Sequence, residues 1–143
     1  MDSEIVLEGL FSPWSASRGV LILCRHRGCR IVLAEYVRGE VEENLLALFA
    51  TDSQLANEII DTYDRLLRLL KPERVPSPTK EQIGQHRHLI RHQADVPVLV
   101  SALLARPHWV LTTNTRHFTR QVAARTQLKI ATPQQFLASI RPH

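Results

Sequence analysis

The chain has 143 residues, 44% of them hydrophobic and 22% charged, with a formal net charge of +4. That length and mix suit one folded domain, 1–143, with a buried core, and exclude a disordered or low-complexity chain. No apolar run reaches the roughly eighteen residues a membrane span needs and no signal peptide is legible, so a soluble, cytoplasmic protein with no membrane partner is expected.

In chain order, residues 16–28 (ASRGVLILCRHRG) read as a helix stopped by Gly28. Arg30 to Ala34 (RIVLA) is a short, β-branched apolar run and predicts a buried strand. Glu35 to Phe49 sets Val37, Val41, Leu45 and Leu48 on one helical face, and Gln54 to Leu70 repeats the pattern with Ile59, Tyr63, Leu66 and Leu70. Pro72, Pro76 and Pro78 then interrupt the chain, leaving room for a brief strand around Arg74–Val75. Glu81 to Arg91 predicts a polar helix. Val96 to Ala105 predicts an apolar one, with Pro97 in its first turn and Asp95 near its N-cap. Trp109 to Thr112 predicts a strand, Arg116 to Thr126 a helix and Leu128 to Ile130 a last strand. Thr132–Pro133 starts a closing helix, Gln134 to Ile140. Strands alternating with helices imply a parallel sheet covered on both faces. No repeat and no internal linker divides the chain.

Charge is distributed unevenly. All fourteen Asp and Glu lie at or before Asp95, and the 48 residues beyond it carry six bases (Arg106, Arg116, Arg120, Arg125, Lys129, Arg141) and no acid. Fifteen of the eighteen bases are Arg, whose planar fork suits bidentate phosphate contact, although a plain basic surface gives the same composition. A metal site would have to draw every carboxylate from Asp95 or earlier. Three acids fall where a parallel sheet forms its sites, beyond the carboxyl ends of strands: Asp2, Glu40 and Asp95. Carboxylates from separate elements are what Mg²⁺ or Mn²⁺ needs. Spacing alone leaves the plainer readings open: a frayed terminus for Asp2, a solvated helix residue for Glu40, an N-cap for Asp95. Cys24 and Cys29 match no zinc spacing and read as reduced thiols.

The order of these segments resembles the PIN domain family, in its subgroup of toxin ribonucleases from bacterial toxin–antitoxin pairs. The resemblance is carried by Asp2-Ser3-Glu4 with Ser12-Pro13 and Ser17-Arg18, by Ile31–Leu45 with Glu40, by Asp95-Val96-Pro97 with Ala102, by Trp109–Phe118 (WVLTTNTRHF), and by Ile130–Leu137 (IATPQQFL). It implies a three-layer α/β/α fold with a central parallel sheet of four to five short strands, and an endoribonuclease that hydrolyses RNA phosphodiester bonds with Mg²⁺ or Mn²⁺. Asp2, Glu40 and Asp95 would hold the metal and Asn114 would complete the catalytic set. Thr112 would orient water or ligands, while Arg116 and Arg120, with His117 beside them, would meet substrate phosphate. For the two arginines a solvated helix face fits equally, and for His117 a core-edge position. A small antitoxin partner and a homodimer are further implications.

Three positions depart from the family pattern. Asn114 stands where a fourth aspartate is common, offering a neutral carbonyl oxygen and no charge, so a second metal should bind weakly if at all. Glu4 stands where Asn is common, and either adds a carboxylate or points outward. Only Met1 precedes Asp2, so either a start upstream or a stub of the first strand is implied. A shifted register would make Ile5-Val6-Leu7 the strand and Glu8 the acid. A catalytically inert PIN-like RNA- or protein-binding module and a structure-specific DNA nuclease are the alternatives. Elsewhere, His86, His88 and His92 form a histidine cluster (HRHLIRH). Two of them sit at a zinc-capable i,i+4 spacing if the segment is helical, and the plainer reading is a basic surface. Trp14 in the SPWSAS turn suits base stacking or packing. Arg25, His26, Arg27 and Arg30 read as a solvated helix end.

Overall fold

The computed structural model describes residues 1–27 and 29–140; Gly28, the expected stop of the second helix, lies outside them. Helix α1 (Ser3–Phe11) begins at once, with Asp2 as its N-cap: the Asp2 carboxylate accepts from the Ser3 N–H at 2.7 Å. Ile5, Val6, Gly9 and Leu10 turn inward on one face. Helix α2 (Ala16–Arg27) crosses α1 so closely at Gly9 that a Cβ there would lie 2.6 Å from Leu21 Cδ1. The corner is tied by the Ser17 hydroxyl, which donates to Glu8 Oε1 at 2.5 Å. The Arg18 guanidinium donates to the Gly9 and Leu10 carbonyls that end the helix. The shifted register is therefore wrong: residues 5–7 are helical and Glu8 is held by Ser17.

Strand β1 (Val32–Ala34) leads into α3 (Glu35–Ala47), which buries Val37, Val41 and Leu45 at the expected spacing. A single turn at Leu48–Ala50 and the Asp52 N-cap, accepting from Leu55 N–H at 3.0 Å, start α4 (Ser53–Leu70). Strand β2 (Glu73–Val75) returns parallel to β1, pairing Val32 with Glu73 and Ala34 with Val75. Helix α5 (Lys80–His86) is closed by a Thr79/Gln82 capping box. Helix α6 (Val96–Ala105), with Pro97 in its first turn, spans the expected residues. Strand β3 (Val110–Leu111) pairs in parallel with β4 (Ile130–Ala131), with α7 (Arg120–Thr126) between them. Helix α8 (Pro133–Ser139) starts at a Thr132/Gln135 capping box. Helices α4, α6 and α7 each exit through a non-glycine residue with positive φ: Lys71 at 45°, Arg106 at 50° and Gln127 at 59°.

The expected central sheet of four to five strands is not what this chain forms. Among the described residues 66% are helical and 7% are in strands, which form two separate two-stranded parallel pairs. The physical reason lies between β1 and β3. Among the described residues, Met1 and Asp2 lie there: the Met1 nitrogen donates to Val32 O at 3.1 Å and the Asp2 N–H to Leu111 O at 3.0 Å. Helix α1 starts at the next residue, so two residues bridge the pairs and no strand joins them.

Two helices are also shorter than expected. The polar helix stops at His86, followed by a 3₁₀ turn at Arg87–Leu89, and His92 is extended, so His88 and His92 share no helical face and the zinc spacing is lost. The helix expected from Arg116 begins only at Arg120, because the Phe118 N–H closes a turn on Asn114 O and Thr119 caps α7. Among the described residues, no helix is long and apolar enough to cross a membrane.

The core gathers α1, α3, α4 and β1 around Val6, Val37, Val41, Leu45 and Tyr63. A second cluster, Ile5, Val20, Leu21, Leu111 and Phe136, ties α1 and α2 to β3 and α8. A third, Val96, Leu99, Val100, Phe118 and Val122, sets α6 against α7. Leu45→Ala, at a site almost closed to solvent, should lower unfolding free energy by about 2 to 5 kcal/mol in urea titration.

Candidate acidic site

Asp2, at the start of α1, and Asp95, before α6, both lie near enough to Glu40 for their charges to act on its carboxyl. Asp2 is fixed most firmly. One carboxylate oxygen caps α1, and the other accepts from the Thr112 hydroxyl at 2.9 Å. Thr112 is only 1% exposed, and its oxygen in turn accepts from the Asn114 N–H at 3.0 Å. Asp2, Thr112 and Asn114 thus form one hydrogen-bonded run across 112 residues of sequence. Burial pushes the Asp2 carboxyl above its ordinary range against the lowering effect of those bonds, and the nearby Glu4 charge adds to the rise.

Glu40 lies one turn along α3, between the buried Val37 and Val41. Its carboxyl is also raised, first by burial and then by the charges of Asp2, Asp95, Glu43 and Glu4. Its Oε1 is buried and has no hydrogen-bond partner. Asp95 closes the 3₁₀ turn before α6 and, unlike an ordinary N-cap, makes no side-chain capping bond. Its Oδ2 lies 2.5 Å from His117 Nδ1, within ion-pair distance but outside hydrogen-bond geometry, and that oxygen also lacks a hydrogen-bond partner. Glu4 stands at the exposed rim, where the Thr113 hydroxyl donates to its carboxylate at 2.5 Å.

His117, for which the sequence leaves open a place beside the phosphate-facing arginines or at the core edge, lies against Asp95. Its ring stacks on His92 with centroids 3.5 Å apart at 20°, and Nδ1 lies 2.9 Å from Asn114 Nδ2. Asn114 and His117 three residues apart in a tight turn was the only local signal for this. Arg116 and Arg120 are exposed, and among the described residues neither is ion-paired. Trp14 is 98% exposed on its turn, outside the core. Cys24 and Cys29 are free thiols, and burial pushes the Cys24 thiol up to about 12.

The donor set suits a hard divalent cation. Its three carboxylates come from separate elements, and two of their oxygens, on Glu40 and Asp95, are buried with no hydrogen-bond donor. Among the described residues, however, no three His, Cys, Asp or Glu side chains stand close enough to enclose an ion as placed. The site is an open acidic cluster with Asp95 turned toward His117. No family model, curated protein or solved structure matches this chain.

The crowding has a sign that can be measured. Because the fold raises the Glu40 carboxyl above its unfolded value, its ionised form destabilises the fold above that raised range, and the penalty vanishes once Glu40 is protonated. Glu40→Gln should therefore raise Tm by about 2 to 4 °C at neutral pH, with the gain fading near pH 4 and below. Equal Tm for both proteins at neutral pH, in thermal unfolding by circular dichroism, would contradict the crowding.

Proposed function

We propose that the chain is a metal-dependent endoribonuclease resembling the PIN family, hydrolysing RNA phosphodiester bonds with Mg²⁺ or Mn²⁺. The observation that carries this reading is the gathering of Asp2, Glu40 and Asp95 with two buried carboxylate oxygens left without donors. Such oxygens are costly to bury among like charges unless a cation neutralises them. Asp2, Glu40 and Asp95 would hold the ion, which supplies charge neutralisation at the phosphate and a more acidic bound water. Thr112 fixes the Asp2 carboxylate, and Asn114, held to Thr112 through its backbone, offers a polar amide at the site edge. Arg116 and Arg120, exposed on the acid-free side of the sequence, suit phosphates flanking the cleaved bond. In this reading the toxin of a toxin–antitoxin pair, with a small antitoxin partner and a homodimeric assembly, is the biological setting.

The second reading is a catalytically inert RNA- or protein-binding module. His117 favours it, since the ring nitrogen already lies against the Asp95 oxygen that an ion would take, and Asn114 adds no charge.

Labelled RNA cleavage separates the two. Cleavage should require millimolar Mn²⁺ or Mg²⁺, stop with chelator, and fall roughly 100-fold or more in Asp95→Asn. Chelator-resistant cleavage, or activity untouched in Asp95→Asn, removes the metal from the mechanism; no cleavage by any preparation leaves the inert module. Arg116→Ala should weaken RNA binding and reduce the slope of log K against log salt by about 1, as a lost phosphate contact does. Fluorescence anisotropy over a salt series measures it.

A further inference from the structure

The segment Arg87–His92 (RHLIRH) lies outside any α-helix, yet it is fastened beside the acidic site at two points. Ile90, 2% exposed, is buried in the core cluster that holds Phe118 and Val122. Two residues on, the His92 ring stacks on His117, and His117 lies against Asp95. The Gln93 side-chain amide donates to the Arg87 carbonyl at 3.4 Å and closes the segment into a compact turn. Its 3₁₀ turn sits beside α7. Packing thus brings together two basic stretches, Arg87–His92 and Arg116–Arg120, which meet at the His92–His117 stack.

What faces outward there is chemically one-sided. Arg87, Arg91, Arg116 and Arg120 are exposed, and among the described residues none of them is ion-paired. No acid falls between Glu81 and Asp95 or anywhere after Asp95, so neither stretch carries a carboxylate of its own. Arginine forks on a packed frame suit phosphate oxygens spaced along a strand. The histidines add what a plain solvated basic face lacks. His92, exposed and backed on one face by a second ring, offers a flat π surface for a nucleobase. A base within a duplex already has its faces covered by its neighbours, so only an unpaired base can take that place.

We propose that Arg87, Arg91, Arg116, Arg120 and the His92–His117 stack form a binding surface for single-stranded RNA, with one unpaired base seated on His92. The choice of RNA rests on the nuclease reading; the strandedness and the stacking place are what the geometry adds. Phosphates on the arginines set the path of the strand, and the stacked base fixes its register next to Asp95. None of these contacts calls on a metal, so binding and cleavage are separable.

Anisotropy of a labelled single-stranded RNA of about twelve nucleotides, in chelator, reads binding by the full chain apart from cleavage. The double variant Arg87→Ala/Arg91→Ala should weaken binding about tenfold and lower the slope of log K against log salt by about 1 to 2. Arg68→Ala removes an exposed charge from α4, which packs against α1, α2 and α3, and should leave affinity within about twofold. His92→Ala should weaken binding about fivefold or more, and His92→Phe should restore it. On a duplex of the same sequence His92→Ala should change affinity by less than about twofold, since no base is free to stack. The proposal is overturned if the double variant binds like Arg68→Ala, or if His92→Ala binds the single strand as the parent does. Displacement of the RNA by polyglutamate as readily as by unlabelled RNA overturns it too, because the surface would then fit an acidic protein. The expected binding pattern with no cleavage in Mn²⁺ or Mg²⁺ supports this surface and removes the nuclease reading alone.

Discussion

Asp2 is the joint on which the arrangement depends. Its backbone N–H bonds β3, one carboxylate oxygen starts α1, and the other holds Thr112. Three jobs usually spread over separate residues, a strand bond, a helix cap and a side-chain clasp, thus fall on one. Each constrains the others: α1 cannot start elsewhere without releasing Leu111, and Thr112 cannot turn away without freeing an acid that is largely buried. The orientation of the acidic cluster is consequently a property of the α1 entry. That entry is in turn set by the tight crossing at Gly9 and the Ser17 and Arg18 ties.

Electrostatics sort the molecule in a way the linear chain anticipates. Every acid precedes α6, and the later segments bring only Arg, Lys and His. The fold then lays the first residue carrying a carboxylate, Asp2, directly against the first strand of the acid-free portion. Crowded acids on one side, with exposed Arg116 and Arg120 just beyond, give adjacent surfaces of opposite sign.

Helices are the legible part of the sequence, and pairing is not. Val37, Val41 and Leu45 announce α3 by period, and Pro97 with Asp95 fixes the start of α6. Strands β1, β2 and β3 fall within or beside the expected segments and β4 starts two residues later than expected, at Ile130, yet all are only two or three residues long. Whether they join into one sheet depends on what lies between Val32 and Leu111, a tertiary fact with no local trace. The same limit hides His117. Its partner Asp95 is far away in sequence, and only the turn around Asn114 and the stack on His92 bring them face to face. The histidine cluster misleads for the opposite reason: its spacing means something only on a helix, and the chain leaves the helix at His86.

Lys71, Arg106 and Gln127 hold left-handed backbone that glycine adopts more easily, at roughly 1 kcal/mol of conformational strain each. Each precedes a strand by only a few residues, β2, β3 and β4 in turn. The turn from helix to strand is therefore made three times through backbone that a side chain disfavours. A branched residue such as valine at any of the three would disfavour that reversal most strongly, and the strand behind it would lose its heading.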